Sequence, residues 1–442
     1  MPITLSLTFT LNRPDRLSRL EAREWLARAA VWFEALGDVV LDAHVVFDRE
    51  EKPVLLVTLH PTPPPIEIRL GASGKVRIEA ETSSTGPGYY AYLCDLLRQM
   101  AEEFDLDSEP PEIRSDPGGY FATRQREPLE QHFLRWLGSA CTNLCSRPAS
   151  GPVPLGLSPS HKFRAEGEVL TSLGPRDRKW LEAVRADVQK GRDFFPWWVP
   201  TPDAVYYRNR AIVRMWCEFP WRPPLTEGEG ELADGIAADL ATAFKLDPSI
   251  ELPWAEWLEL LTAIEGDREG FTVTPDDQVL SIELWKRTGP VPPKAGVVPI
   301  GYRRFPVRER LCSGWSIEVP GDFAREWEDT RTWTGWNGLR TVWFQELGFA
   351  KPDGSTPSAE EALIVGRRSM PEGERLTDWT KGTVLGEAVF GPHTDDDGRT
   401  VWRLSGLAAV PGRLVICNIY VEHADDRDWA ANTWRSLRHV EE

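Results

Sequence analysis

Residues 3–11 read Ile-Thr-Leu-Ser-Leu-Thr-Phe-Thr-Leu, with apolar and polar side chains in strict alternation. Successive side chains of a strand point to opposite faces, so this pattern predicts a half-buried β-strand. Asn12-Arg-Pro-Asp15 breaks it. Over 17–36, Leu26, Ala29, Ala30, Phe33 and Leu36 fall at helical spacing, which predicts an amphipathic helix. Strands are expected at about 39–48, 53–60, 66–70 and 75–81, parted by acidic and glycine-containing turns. A second helix is expected at about 88–104, with Tyr89, Leu93, Leu96, Leu97, Met100 and Phe104 in register. The order βα-ββββ-α indicates an α+β fold.

A similar order recurs downstream. A strand is expected over 161–173, then a break at Gly174-Pro-Arg-Asp-Arg178 and a helix at about 179–190. Strands at 204–208 and 211–219 and a helix at 231–244 complete it. Asp15 and Asp177 lie 162 residues apart, and Phe104 and Phe244 lie 140 apart. The second copy is therefore shorter by about one hairpin, the one at 66–85. Two βαββα-type repeats, a degenerate internal duplication, account for this; chance similarity of two small α+β units is the competing explanation. The expected organisation is a first α+β repeat over 1–125, a helix and Pro/Gly-rich linker over 126–160, a second, acidic repeat over 161–290, and a Trp-rich α/β sandwich over 301–442. The Pro-rich stretch 287–301 marks the strongest boundary.

The C-terminal segment has its own logic. Trp315-Ser-Ile-Glu-Val-Pro320 reads as a strand, and Asp322 as the N-cap of a short helix ending at Trp327. Strands are expected at about 331–335, 339–349, 382–391, 399–410 and 413–422, with a helix at 358–368 between them. A closing helix at 426–438 is capped by the Asp425-Asp426 pair. The strand Trp315–Pro320, the helix start Ser358-Ala-Glu-Glu361 and the closing Trp434-Arg-Ser-Leu437 make this segment resemble the PsbP-like and DcrB-type α/β sandwich. That resemblance covers about 305–442 and implies an antiparallel sheet in a binding or accessory module.

Composition narrows the function. The 442 residues carry 41% hydrophobic and 27% charged side chains, enough to bury several cores. A net charge of −17 repels phosphate backbones and acidic membranes, so neither nucleic acid nor a membrane is the expected partner. The 41 Arg outnumber the 10 Lys, the coding bias of a GC-rich bacterial genome. The N-terminus reads as a strand and not a signal peptide, and no long apolar run is present, which makes a cytoplasmic location the expectation. Of six cysteines only Cys141 and Cys145 are close, with no second pair to complete four ligands, so all six read as reduced thiols.

No segment names a reaction. Thr82-Ser-Ser-Thr-Gly-Pro-Gly88 precedes a helix as a phosphate loop does, but it lacks the lysine. His393-Thr-Asp-Asp-Asp-Gly398 and His423-Ala-Asp-Asp426 set histidines beside carboxylates, yet the Asp runs are better explained by a hairpin and a helix cap. Trp254-Ala-Glu-Trp257 and Glu326-Trp-Glu328 offer carboxylates beside aromatics of the kind sugar chemistry uses; a solvated helix face explains them more simply. No cofactor or metal is therefore expected.

Between 226 and 290, 15 acidic residues face 4 basic ones. The 20 tryptophans, nine of them between Trp315 and Trp434, suit cores and interfaces. The expectation is a non-enzymatic protein-binding or accessory protein, with toxin immunity or a defence system as its specific instance, and a basic protein as the fitting partner. Its candidate partner-binding surface is Trp254, Glu256, Trp257, Glu259, Trp333 and Trp336. The alternative is an unrecognised hydrolase or ligand-binding enzyme with a pocket between the α+β units.

Overall fold

The computed structural model describes residues 2–12, 16–48, 50–106, 111–147, 151–157, 161–163, 167–265, 286–287, 299–394 and 398–440. Most of the linker expected at 287–301 lies outside them, as do part of the first turn (13–15) and the acidic run 395–397. The chain divides into two compact units. The first comprises residues 1–158, 165–219 and 231–301, and the second residues 159–164, 220–230 and 302–442. No helix among the described residues is long and apolar enough to cross a membrane.

The first unit opens as its pattern predicts. Strand β1 (Thr4–Thr10) leads to helix α1 (Arg19–Glu34), which starts with a capping box. There Ser18 Oγ accepts from the Glu21 N–H, and the Glu21 carboxylate accepts from the Ser18 N–H at 2.9 Å. Strands β2 (Asp42–Phe47), β3 (Pro53–Thr58), β4 (Ile66–Leu70) and β5 (Lys75–Glu81) precede helix α2 (Pro87–Glu103), and β6 (Glu112–Ser115) follows. They form one antiparallel sheet in the order β2-β3-β4-β5-β1-β6. Chain-first β1 thus pairs with β5, Leu5 opposite Ala80 and Leu7 opposite Ile78. Leu5, Leu7 and Phe9 are buried as expected, but so are Ser6 and Thr8, because β1 is an interior strand and its second face is covered too.

The remainder of this unit corrects the expected second repeat. The residues assigned to strands at 204–208 and 211–219 form one helix, Ala204–Cys217, whose N-cap Asp203 accepts from the Tyr206 N–H at 2.8 Å. Its neighbours are the helices Arg178–Ala186, Glu227–Leu246 and Trp254–Glu265 and a small sheet of strands 174–176, 169–171 and 153–154. This connectivity is not that of residues 1–107. The residues carry no helical pattern because positions all round the helix are buried, among them Tyr206, Asn209, Ala211 and Met215. A helix covered on several faces loses its 3.6-residue hydrophobic period and reads as a continuous run.

The second unit is sheet-rich. Its larger sheet is antiparallel, with strands in the order Ala324–Trp327, Thr332–Trp336, Arg340–Gly348, Arg413–Val421, Thr400–Val410, Val384–Thr394 and Glu374–Arg375. A four-stranded sheet runs Arg438–His439, Trp315–Val319, Val307–Arg310 and His161–Phe163. The helix Ala359–Gly366, opened by the Ser358/Glu361 capping box, lays Ala359, Ala362 and Leu363 on Leu407, Ala409 and Leu414. The closing helix Arg427–Arg435 sets Trp434 against Gly406, where a Cβ would come within 2.5 Å of the indole. Neighbouring residues 406 and 407 point to opposite faces, so each face of the sheet carries a helix.

Two local expectations fail here. Residues 324–327 are a strand and not a helix, paired with Thr332–Trp336, and Asp322 takes the Asn337 side-chain amide at 3.1 Å instead of capping. Asp426 makes no capping bond either; its carboxylate pairs with Arg340 at 2.6 Å.

Candidate functional site

The residues singled out from the sequence are not all surface residues. Trp257 and Trp333 are each 1% exposed, so their rings are core. Trp254 stacks on Trp257 with ring centroids 5.6 Å apart and meets Phe244 edge-on. Glu256 is half-buried and Glu259 exposed on the same helix. Trp333 and Trp336 sit on one strand but on opposite faces, with Trp336 half-buried. Indole is the largest apolar payload the chain has, and burying it outweighs displaying it wherever a core can take it.

The Thr82–Gly88 loop is filled by the chain itself. Thr82, Ser83, Ser84 and Thr85 are buried, the Gly88 N–H donates to the Trp197 carbonyl at 3.1 Å, and a Cβ at Gly86 would meet that carbonyl oxygen at 2.6 Å. Its glycines permit close backbone approach by residues 197–199, not by an anion. Among the described residues no three His, Cys, Asp or Glu gather as a metal site; His393 lies against the Tyr420 ring at 5.6 Å. All six cysteines are free thiols, and burial pushes those of Cys141 and Cys417 up to about 12.

A cavity that no sequence pattern announced lies within the second unit. Its volume is about 670 Å³. One side is the turn Val319–Asp322 after the strand Trp315–Val319, and another is the short 3-10 turn Tyr302–Arg304. Gly321 makes their fit possible, because a Cβ there would come within 2.2 Å of the Arg303 carbonyl oxygen. Arg303 is buried and donates to the Gly321 and Phe323 carbonyls at 2.6 and 2.5 Å. Burial, with the like charge of Arg325 behind it, pulls its guanidinium down to about 10.

Two guanidinium-on-indole pairs line the same cavity. Arg304 lies 3.7 Å from the Trp221 ring centroid, and Arg340 lies 4.3 Å from that of Trp429. Trp221 adopts a φ of +55°, a left-handed backbone that costs a bulky residue about 1–3 kcal/mol. Its neighbour Arg222 holds it there: a bidentate pair with Glu229 at 2.7 and 2.8 Å, and a bond from Nε to the Asp322 carbonyl at 2.5 Å, tie the segment down. The cavity's carboxylates are engaged, Glu318 by Arg308 at 3.2 Å and Asp322 by Asn337. Such a lining offers flat cationic and aromatic faces, which suit carboxylate or planar groups.

No protein-family model matches the chain, and no curated protein matches it. Among solved structures that do match, one from Bacteroides thetaiotaomicron VPI-5482 is 10% identical over 29% of this chain and 46% of its own length, with a TM-score of 0.24. The chain thus spans less than half of that protein, and a likeness at this level carries no argument about fold or function.

Proposed function

We propose that this is a non-enzymatic accessory protein that binds another protein, and that the Arg/Trp cavity of its second unit receives a carboxylate-bearing or aromatic group of that partner. The observation that carries this reading is the pair of guanidinium–indole stacks, Arg304 on Trp221 and Arg340 on Trp429, lining one cavity. Trp and Arg are the side chains that most often anchor interfaces, and they do so in pockets of this kind. A Trp kept in a strained backbone supports the same reading, since such strain concentrates where a side chain must be presented. The resemblance of residues 305–442 to the PsbP-like sandwich agrees with a binding role. The lining carries three guanidiniums and two carboxylates, which favours an acidic group at this cavity although the whole chain is acidic. Neutralising a toxin, or serving a defence system, is the specific instance we infer.

Affinity capture from the native host tests this, with the wild-type chain compared against Trp429→Ala and Arg304→Ala. Leu20→Ala, at an exposed position of the first unit, is the control. A stoichiometric protein retained by wild type and control, and lost by both cavity variants, is the expected result. Retention by both cavity variants, or recovery of a small molecule in the partner's place, overturns the proposal. For the toxin instance, the captured partner should arrest growth alone and not when co-expressed with this chain.

A further inference from the structure

A different cavity lies wholly within the first unit. Its volume is about 640 Å³, in the range of small-molecule sites. One wall is a single face of the helix Ala204–Cys217, where Val205, Arg208, Asn209 and Ile212 follow helical spacing. The segment around Trp198 and residues 251–253, which lead into the helix Trp254–Glu265, supply other walls.

Two of the three guanidiniums that line this cavity, Arg208 and Arg192, are not closed by a described carboxylate. Arg208 is half-buried, and its Nε and Nη2 both donate to the Asn209 side-chain oxygen, at 3.1 and 2.9 Å. Asn209 in turn donates to the Pro196 carbonyl at 3.0 Å. The guanidinium thus ends on a neutral amide, and no described carboxylate lies within ion-pair distance of it. Glu251 and Asp203 act on it only through space, and burial outweighs them, lowering its pKa. Asp203 is engaged as the helix cap, and Asp193 is paired with Arg176 at 3.1 Å. Arg192, with its guanidinium 4.6 Å from the Trp198 centroid, likewise has no described carboxylate within ion-pair distance. A partly desolvated cation without a counter-ion is costly, and an apolar residue would pack at this position without that cost. The rest of the wall is apolar: Leu173, Phe195, Val205, Ile212, Leu252 and Pro253. Val205 is 42% exposed even so.

We propose that this cavity binds an amphipathic monocarboxylate, its carboxylate forked on Arg208 and its apolar body along Val205, Ile212 and Leu252. A carboxylate matches the planar guanidinium in geometry and supplies the missing charge. The apolar part of the wall suits an alkyl chain or an aryl ring. This site shares no lining residue with the cavity of the second unit, and its test does not depend on a protein partner.

Isothermal titration of the full chain with straight-chain carboxylates from butyrate to dodecanoate, and with phenylbutyrate, provides the test. At least one member should bind one-to-one, about tenfold or more tighter than the matching alcohol. Arg208→Met should weaken it by about tenfold or more, and Arg208→Lys by less, because charge survives while the fork does not. Val205→Trp should block binding while leaving the circular dichroism melt unchanged, since it fills the cavity from a part-exposed position. The proposal fails if no member binds, if Arg208→Met retains full affinity, if the alcohol binds as tightly, or if inorganic phosphate competes equally.

Discussion

Replacing Asp239 by Asn probes the ion pair that holds the helices of the first unit. Arg210 and Asp239 have side chains only 4% and 5% exposed. The Arg210 Nε donates to one Asp239 oxygen at 2.8 Å, and Nη2 donates to the other. Nη1 reaches the Asp38 carbonyl at 2.6 Å and the Tyr206 hydroxyl at 2.9 Å. One guanidinium therefore ties the helix Ala204–Cys217 to the helix Glu227–Leu246 and to the turn before β2. Burial opposes its charge, and the contacts with Asp239 and Tyr206 together outweigh burial, so its pKa rises. Asn keeps the shape of Asp239 and removes its charge, which leaves a cation buried with only neutral partners. Breaking a buried pair in this way costs about 3–5 kcal/mol, a large share of the roughly 5–15 kcal/mol that holds a typical domain. The double variant Arg210→Met/Asp239→Leu removes both charges and should recover most of that loss, short of the bonds to Asp38 and Tyr206. Hydrogen exchange by mass spectrometry is the suitable assay, because it reports opening locally even where the two units unfold separately. Peptides over 204–217 and 231–246 should lose protection by roughly a hundredfold to several thousandfold in Asp239→Asn. A loss below about 1 kcal/mol, or a double variant as unstable as the single one, would refute the reasoning. The same helix carries Arg208 and Asn209, so carboxylate binding should weaken in parallel in Asp239→Asn.

Two further outcomes follow from buried groups. His60 is fully buried, its Nδ1 accepts from the Thr62 N–H at 3.2 Å, and burial, with Arg210 and Arg214 nearby, holds its pKa well below the ordinary value. Below about pH 6.5 the unfolded chain takes a proton that the folded chain refuses, so stability should fall with pH by up to about 1.4 kcal/mol per unit until the folded pKa is reached. In His60→Asn, which keeps an acceptor for Thr62, equilibrium unfolding at pH 5 and 7 should show that much less acid sensitivity than wild type; an unchanged difference would count against it. Gly406→Ala places a methyl within 2.5 Å of the Trp434 indole and 3.1 Å of the Cys417 carbonyl oxygen. That overpacking should cost about 1–3 kcal/mol in urea denaturation, with Trp434→Phe partly restoring stability in the double variant; additive losses would show that the two do not meet.

Legibility tracked the range of the signal. The helix start at Ser358 and the strands from Thr4 to Glu81 depend on neighbours within a few residues, and they formed where the pattern placed them. The helix Ala204–Cys217 did not show itself, because a helix buried on several faces has no polar stripe to reveal its period. Asp322 misled for a related reason. A helix cap and a hairpin-side acceptor look alike until the partner is known, and here Asn337 arrives by strand pairing.

The α+β class and the acidic character of the chain were determined by the sequence alone, because periodicity and charge are local or additive. Which tryptophans are core and which line a cavity was decided only by the tertiary structure. Trp221, Arg304, Arg340 and Trp429 stand far apart along the chain and share no motif. Sheet pairing, the Arg222–Glu229 clamp and the closing helix bring them to one cavity. A site assembled from long-range contacts leaves no local pattern to read, since each residue answers to its own element and the cavity belongs to none of them.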